Sequence, residues 1–149
     1  MINLFKRKSD ISEKEDKMNL IYTEQPNNSD DIYSLYESLG WNDYLDLSKE
    51  QLAKAMKGSF YVVYAYDDEK LIGTGRVISD GVINAYLCGL GVHPQFRDKG
   101  IGTTISQKLI SYCKEKNLHI QLFCEEHLQK YYENMGFEVF AIGMKPSEK

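Results

Sequence analysis

The chain has 149 residues, of which 42% are hydrophobic and 27% charged, and its formal net charge is −4. This length fits one domain with a substantial core and is short for two. The sequence contains no apolar run near the roughly 18 residues of a membrane span, no clustered basic footprint for nucleic acid beyond residues 6–8, and no CxxC spacing of the zinc-site type.

The N-terminal residues combine many charges with few apolar side chains. We predict a flexible charged extension over residues 1–18, followed by a single domain over residues 19–149. No apolar segment of the secretory type accompanies the basic residues, so we predict a cytoplasmic location. We also expect neither a membrane nor a nucleic acid as a partner. The three cysteines lie in apolar segments and are most simply buried thiols.

The first half of the domain is predicted to hold a strand, two helices and a hairpin. NLIYTEQ predicts a short strand, and DIYSLYESLG predicts a helix that stops at Gly40. Ser48, with a glutamine three residues later, predicts a capping box for a second helix over residues 49–57. The β-rich runs SFYVVYAYD and KLIGTGRVIS, joined by a short acidic link, predict an antiparallel hairpin.

The second half is predicted to begin with a strand at VINAYLCGLGV, where Gly89 and Gly91 indicate a bulge or a close approach to the backbone. Apolar residues spaced by three and four predict a helix from Ile101 to about Asn117. HIQLFC then predicts a strand, EEHLQKYYENMG a helix and FEVFAIGM a final strand. The fold class is therefore α/β (α+β), with a mixed, mostly antiparallel, twisted sheet of about six strands, a central βαβ crossover and about four helices.

The stretch HPQFRDKGIG joins the strand that ends at Val92 to the helix that follows. The start of a helix has about four unpaired amides and a positive dipole end, so it attracts anions. Glycines at Gly100 and Gly102 remove side chains that would keep a phosphate away, and Arg97 and Lys99 add positive charge. The alternative is a tight connection without a ligand. A mononucleotide P-loop is excluded because no Gly-Lys-Ser/Thr follows, and the dinucleotide fingerprint lacks its third glycine.

Two motifs carry a resemblance to a known family. The segment LGVHPQFRDKGIGTTISQKLISYC resembles the acetyl-CoA-binding motif of the GNAT N-acetyltransferases, Q/R-x-x-G-x-G/A, with Arg97, Gly100 and Gly102 in its fixed positions. KYYENMGFEVF is similar to the family's F-Y-x-x-x-G-F signature, with Tyr132 in the tyrosine position. The resemblance runs from about residue 19 to the end of the chain and implies the GNAT fold.

GNAT enzymes transfer an acetyl group from acetyl-CoA directly to a primary amine, so the resemblance implies acetyl-CoA as cosubstrate and no metal. The backbone of Leu90 and Val92 is expected to pair with the pantetheine arm, while backbone amides near the helix start hold the diphosphate, with hydroxyl donors from Thr103 and Thr104. The residues implied in cofactor binding are Leu90, Gly91, Val92, Arg97, Asp98, Lys99, Gly100, Ile101, Gly102, Thr103 and Thr104.

The resemblance also makes Tyr132 the candidate general acid, since a phenol can donate to the departing coenzyme A sulfur. The alternative for Tyr132, and our interpretation of Tyr131, is an aromatic core residue. No general base is identified, although Glu125, Glu126 and His127 are expected near the site. Many relatives carry an asparagine that contacts the cofactor arm at the position of Glu125, so that contact is in doubt here.

The acceptor is expected to contact the segment LGWNDYLDLS, between the first two predicted helices. There Trp41 and Tyr44, with Asp43 and Asp46, would form an aromatic and acidic lip suited to a small cationic amine, although Trp41 could instead belong to the core. Tyr86, on the central strand, completes the predicted substrate-binding set, with packing as its alternative. Weaker candidates on the hairpin are Tyr64, Tyr66 and Arg76.

Three interpretations are open from the sequence. The leading one is an amine N-acetyltransferase whose acceptor is a small amine, with a protein lysine or N-terminus as the alternative acceptor. The second is a non-catalytic acyl-CoA-binding regulatory module, and the third is a partner-binding domain without a cofactor. An exposed final strand would also allow a homodimer.

Overall fold

The computed structural model of the protein describes residues 17–147. The extension predicted over residues 1–18 therefore lies almost entirely outside the described residues. The strands of the described part are β1 (Leu20–Thr23), β2 (Tyr61–Asp67), β3 (Lys70–Ser79), β4 (Asn84–Val92) and β5 (His119–Leu122). Its α-helices are α1 (Asp31–Ser38), α2 (Asn42–Leu45), α3 (Lys49–Lys57), α4 (Ile101–Glu115) and α5 (Gln129–Glu133), and its 3₁₀ turns are Pro94–Phe96 and Glu126–Leu128.

The strands form one sheet in the order β1-β2-β3-β4-β5. Pairing is antiparallel from β1 through β4, and β5 runs parallel to β4. Parallel neighbours need a crossover connection, which α4 provides. The predicted hairpin, the mixed and mostly antiparallel sheet and the central βαβ crossover are confirmed.

Helix α4 packs on one face of the sheet because its apolar residues recur at helical spacing. Ile101, Ile105, Leu109 and Cys113 are each at most 1% exposed and belong to one core cluster with residues of β2, β3 and β4. Gly75 in β3 allows a close approach, since a Cβ there would lie 2.8 Å from Ile105 Cγ2. This packing fixes where the start of α4 meets the end of β4.

Helices α1 and α3 cover the opposite face and form a second core cluster with β2 and β3. Helix α3 begins with the predicted capping box: the Gln51 amide donates to Ser48 Oγ at 3.2 Å, and the Ser48 amide donates to Gln51 Oε1 at 2.8 Å. Tyr64 and Tyr66 are 2% and 1% exposed in this cluster. Their rings fill the core, which leaves them little surface for contact with an acceptor.

Two elements differ from the prediction. Residues 42–45 form the short helix α2, where the sequence suggested a loop. The final strand predicted at FEVFAIGM does not form in the described part of the chain, so the sheet has five strands instead of six. The segment has strand-like composition but no neighbouring strand to satisfy its backbone, and Val139, Phe140, Ile142 and Met144 are 68–94% exposed.

Within residues 17–147, none of the helices has both the length and the apolar character needed to cross a bilayer.

Candidate functional site

Strands β4 and β5 separate part of the way along the sheet. Their pairing ends where Leu87 faces Leu122, although β4 continues to Val92. Beyond Leu87, one edge of β4 therefore has no neighbouring strand in the described part of the protein. An open strand edge presents N–H and C=O groups that an extended ligand can pair with.

The main-chain groups of Leu90 and Val92 lie on this open side. The His93 amide donates to Ile72 O at 2.7 Å, towards β3. Because these directions alternate along a strand, the polar groups of Val92 and Leu90 point away from β3. The Val92 carbonyl accepts a 3.2 Å hydrogen bond from Arg97 Nε, which leaves the Val92 N–H and both groups of Leu90 for a ligand.

The predicted bulge in β4 is confirmed at Gly89, which has a φ of +59° and lies where the register with β3 shifts. Gly91, two residues later, has no side chain, which lets Leu39 and Trp41 pack closely against β4. A Cβ on Gly91 would lie 2.6 Å from Leu39 Cδ1 and 2.7 Å from Trp41 Cη2. The open edge of β4 is thus supported from behind by the residues that follow α1.

The loop before α4 forms a concave run of backbone amides. Asp98 and Gly100 take left-handed angles, with φ values of +60° and +77°, and Gly100 is the N-cap of α4 without a capping side chain. The N–H groups from Asp98 to Thr103 have no hydrogen-bond acceptor within residues 17–147. Unpaired amides at a helix start attract anions, so this run, here called the amide cradle, has the geometry of an anion site.

The side chains around the amide cradle differ in what they offer. Arg97 and Lys99 are exposed, whereas the Ile101 side chain is 1% exposed, so Ile101 contributes only its amide. The Thr104 hydroxyl already donates to Gly100 O at 3.1 Å, which removes it as a donor and leaves Thr103 as the hydroxyl of the pair. A Cβ on Gly102 would lie 3.2 Å from Tyr131 Oη. The Tyr131 hydroxyl therefore borders the cradle, although we expected this residue to be core.

Tyr132 lies half-buried on α5, with its ring edge-on to Tyr131 at 5.1 Å and to Phe137 at 5.9 Å. Burial, and after it the neighbouring Tyr131 and Cys124, raise the pKa of Tyr132 to about 12. The phenol therefore stays protonated at neutral pH. Cys124 itself is exposed and Cys113 is buried, so the prediction of buried thiols holds for Cys113 and is wrong for Cys124.

The candidate bases follow β5 in the chain, just after its pairing with β4 ends. Glu125, Glu126 and His127 are all exposed. Glu125 Oε2 lies 3.2 Å from His127 Nδ1, with the two side chains 81% and 70% exposed. A pair this exposed contributes little to stability, so both groups remain available to water and to an amine.

The predicted acceptor residues do not form one lip. Trp41 lies against Gly91 and makes an edge contact with Tyr36, their ring centroids 5.0 Å apart, while Tyr44 is 73% exposed. Tyr86 stacks on Phe123 at 6.2 Å with the rings 6° from parallel. Trp41 is thus part of the support behind β4, and of the two aromatic residues Tyr44 alone has the exposure of a lip residue. Asp43 and Asp46, on either side of Tyr44, are exposed as well.

Arg76 lies behind the bulge of β4, opposite Cys88 in the strand pairing. Its Nη1 donates to Ser59 Oγ at 3.2 Å, while its buried Nε has no hydrogen-bond partner in the described part of the chain. The contact with Ser59, at the end of α3, favours a role in anchoring that helix.

Residues 21–137 match the family model described as Acetyltransferase (GNAT) family. The chain belongs to the GNAT family. The match contains both motifs, the amide cradle and Tyr132.

Among sequence relatives, the soybean (Glycine max) protein named histone acetyltransferase TAP1 is 30% identical over 127 residues, which cover 77% of this chain and 54% of the relative. The chain spans about half the length of the first curated relatives it matches. A GNAT family protein from Streptococcus pneumoniae is 26% identical, with a TM-score of 0.72 over 87% of this chain and 98% of that one. A predicted acetyltransferase with acetyl-CoA from Clostridium acetobutylicum shares the fold, with a TM-score of 0.63, 16% identity and coverage of 86% and 96%.

The open edge of β4 and the amide cradle follow one another along the chain, and together they are here called the GNAT groove. A separate hollow of about 470 Å³ lies at the other end of α4, between α3 and the start of β2, and includes Glu24, Met56 and Tyr61. Of the residues named as candidates from the sequence, it includes Tyr64 alone. Within residues 17–147, no cluster of three or more His, Cys, Asp or Glu side chains could hold a metal ion.

Two aromatic residues of the GNAT groove escaped the sequence analysis. Phe123 is 76% exposed at the point where β5 leaves β4, and Phe96 lies in the turn before the amide cradle. An apolar residue directly after a strand, or in a turn that begins with proline, carries little signal by itself. What identifies both is a contact with a distant part of the chain, Tyr86 for Phe123 and Lys70 for Phe96.

Proposed function

We propose that this chain transfers an acetyl group from acetyl-CoA to a primary amine. The observation that carries the proposal is the amide cradle, set beside the open edge of β4. The diphosphate of an acyl-CoA requires hydrogen-bond donors, and the pantetheine arm requires an extended partner for its amides. Both requirements are met within the segment from Leu90 to Thr103, and membership of the GNAT family supports the same assignment.

Each cofactor residue then has a separate task. The amides from Asp98 to Thr103 hold the diphosphate, with Thr103 adding a hydroxyl and Arg97 and Lys99 adding charge. Leu90 and the Val92 N–H pair with the amide arm. Gly91 takes part by letting Trp41 and Leu39 support the strand from behind.

Tyr132 serves the leaving group. The amine nitrogen attacks the thioester carbonyl, the carbon–sulfur bond breaks, the sulfur leaves as a thiolate and the nitrogen gives up a proton. The Tyr132 hydroxyl, with a pKa of about 12, is a weaker acid than a thiol of pKa about 8.5, so a hydrogen bond to the sulfur is its main contribution. The thiolate takes its proton afterwards from solvent.

The acceptor must reach the thioester as a neutral amine, although an alkylamine carries its proton up to a pH of about 10. In our proposal one of the exposed residues Glu125, Glu126 and His127 takes this proton through water. We propose a small cationic amine as the acceptor, supported by exposed Tyr44 with its flanking aspartates and by the net charge of −4. A protein lysine is the second candidate, because the soybean relative carries the name histone acetyltransferase.

A thiol-release assay tests the proposal. The purified chain is given acetyl-CoA with spermidine, free lysine and a lysine-rich histone-tail peptide in parallel, and calorimetry measures CoA binding. Thiol release with an amine, lowered in Tyr132→Phe at unchanged CoA affinity, is the expected result. Binding without release for any amine would favour the non-catalytic module, and absence of CoA binding would overturn the proposal.

A further inference from the structure

A group of basic residues surrounds an aromatic ring directly before the amide cradle. Lys70 Nζ lies 5.2 Å from the centroid of the Phe96 ring, and Lys99 Nζ lies 5.5 Å from it. The His93 ring meets Phe96 edge-on at 5.6 Å. We call Lys70, His93, Phe96, Arg97 and Lys99 the Phe96 patch.

The charges of the Phe96 patch lie close enough to influence one another. The pKa of His93 is lowered first by burial and then by the nearby charges of Lys70 and Arg97. Within residues 17–147, none of Lys70, Arg97 and Lys99 forms a salt bridge with a carboxylate. Like charges at such separations repel, so an anion placed among them would be bound favourably.

The position of the Phe96 patch relates it to the cofactor. Arg97 and Lys99 belong to the loop that forms the amide cradle, and Lys70 arrives from the start of β3, where Gly73 pairs with Val92. In a ligand whose diphosphate occupies the cradle, the nucleotide end would lie near this loop. Coenzyme A carries a second phosphate there, a monoester on the 3′ position of its ribose, with up to two negative charges.

We propose that the Phe96 patch binds the 3′-phosphate of coenzyme A, with Lys70 and Lys99 as its principal contacts. The proposal rests on the proposed function, because it needs the diphosphate in the cradle. The opposing interpretation is that the two lysines only lay their stems over an aromatic ring, as lysines commonly do on a protein surface.

Calorimetric titration with CoA and with 3′-dephospho-CoA separates the two interpretations. The variants are Lys70→Gln, Lys99→Gln and the double variant. Lys108→Gln is the matched control, because Lys108 Nζ lies at the same 5.5 Å from an aromatic centroid, that of Tyr22, on the surface of α4. The measured quantity is the ratio of the two dissociation constants for each protein.

We expect the wild type and Lys108→Gln to bind CoA about tenfold more tightly than dephospho-CoA. Each single variant should reduce this preference about threefold, since one exposed charge pair contributes up to about fivefold. The double variant should bind both ligands about equally. Equal binding of both by the wild type, or a full preference in the double variant, would overturn the patch assignment alone. Failure of the wild type to bind either ligand would overturn it together with the proposed function.

Discussion

A single charged substitution in the amide cradle should separate ligand binding from stability. In Gly102→Glu, a carboxylate enters the first turn of α4, among the unpaired amides that we assign to the diphosphate. The same carboxylate is favourable to the helix, because negative charge near a helix N-terminus stabilises it by about 0.3–1 kcal/mol. The new Cβ meets Tyr131 Oη at 3.2 Å, a contact that a shift of a few tenths of an ångström relieves.

The loss of affinity can be worked out from these contacts. A hydrogen bond to a charged group contributes roughly 1.5–3 kcal/mol. Repulsion between a carboxylate and a phosphate about 4 Å apart adds about 1–4 kcal/mol, from water-like to surface-like dielectric. Loss of one amide bond together with the weaker repulsion gives about 3 kcal/mol, which corresponds to at least about 100-fold in the Kd for CoA.

Calorimetry with CoA and thermal unfolding measure the two effects on the same sample. Gly102→Gln is the control, since it has the same size without the charge. We expect the Tm of Gly102→Glu to stay level or rise while its CoA binding weakens. The CoA affinity of Gly102→Gln should lie between those of the wild type and Gly102→Glu. CoA binding at wild-type affinity in Gly102→Glu would refute the cradle. Equal losses in the two variants would refute the role of charge.

Tyr132→Phe should lower kcat about 10–100-fold and leave CoA affinity unchanged, because it removes only the hydrogen bond to the charged sulfur; a comparable loss of affinity would argue for a packing role. Because burial raises the pKa of Tyr132 to about 12, we expect kcat/KM to rise with pH as the amine loses its proton. We expect no decline in kcat/KM at any pH up to about 10. A descending limb abolished by Tyr132→Phe would contradict this. Ser48→Ala should cost about 1 kcal/mol in urea unfolding by removing the capping box, with CoA binding intact. Gly91→Ala should destabilise by about 1–3 kcal/mol, because its Cβ would overlap Leu39 and Trp41; an unchanged Tm would show that these side chains move aside.

Prediction from the sequence was most successful where the physical cause is local. The Ser48 capping box, the bulge at Gly89 and the unpaired amides around Gly100 each depend on a few consecutive residues. The strand-like composition of FEVFAIGM is local too, but a strand also needs a partner for its backbone groups, and β5 does not provide one. Strand propensity was therefore present without a strand.

The sequence by itself determined the helix start that can hold a diphosphate, since the glycines, the charges and the amide directions all lie in one short loop. Only the tertiary structure decided what surrounds it: the separation of β4 from β5, the Tyr131 hydroxyl beside Gly102 and the approach of Lys70 to Phe96. Those contacts join residues far apart in the chain. Their geometry follows from how α4 packs on the sheet, which no local pattern encodes.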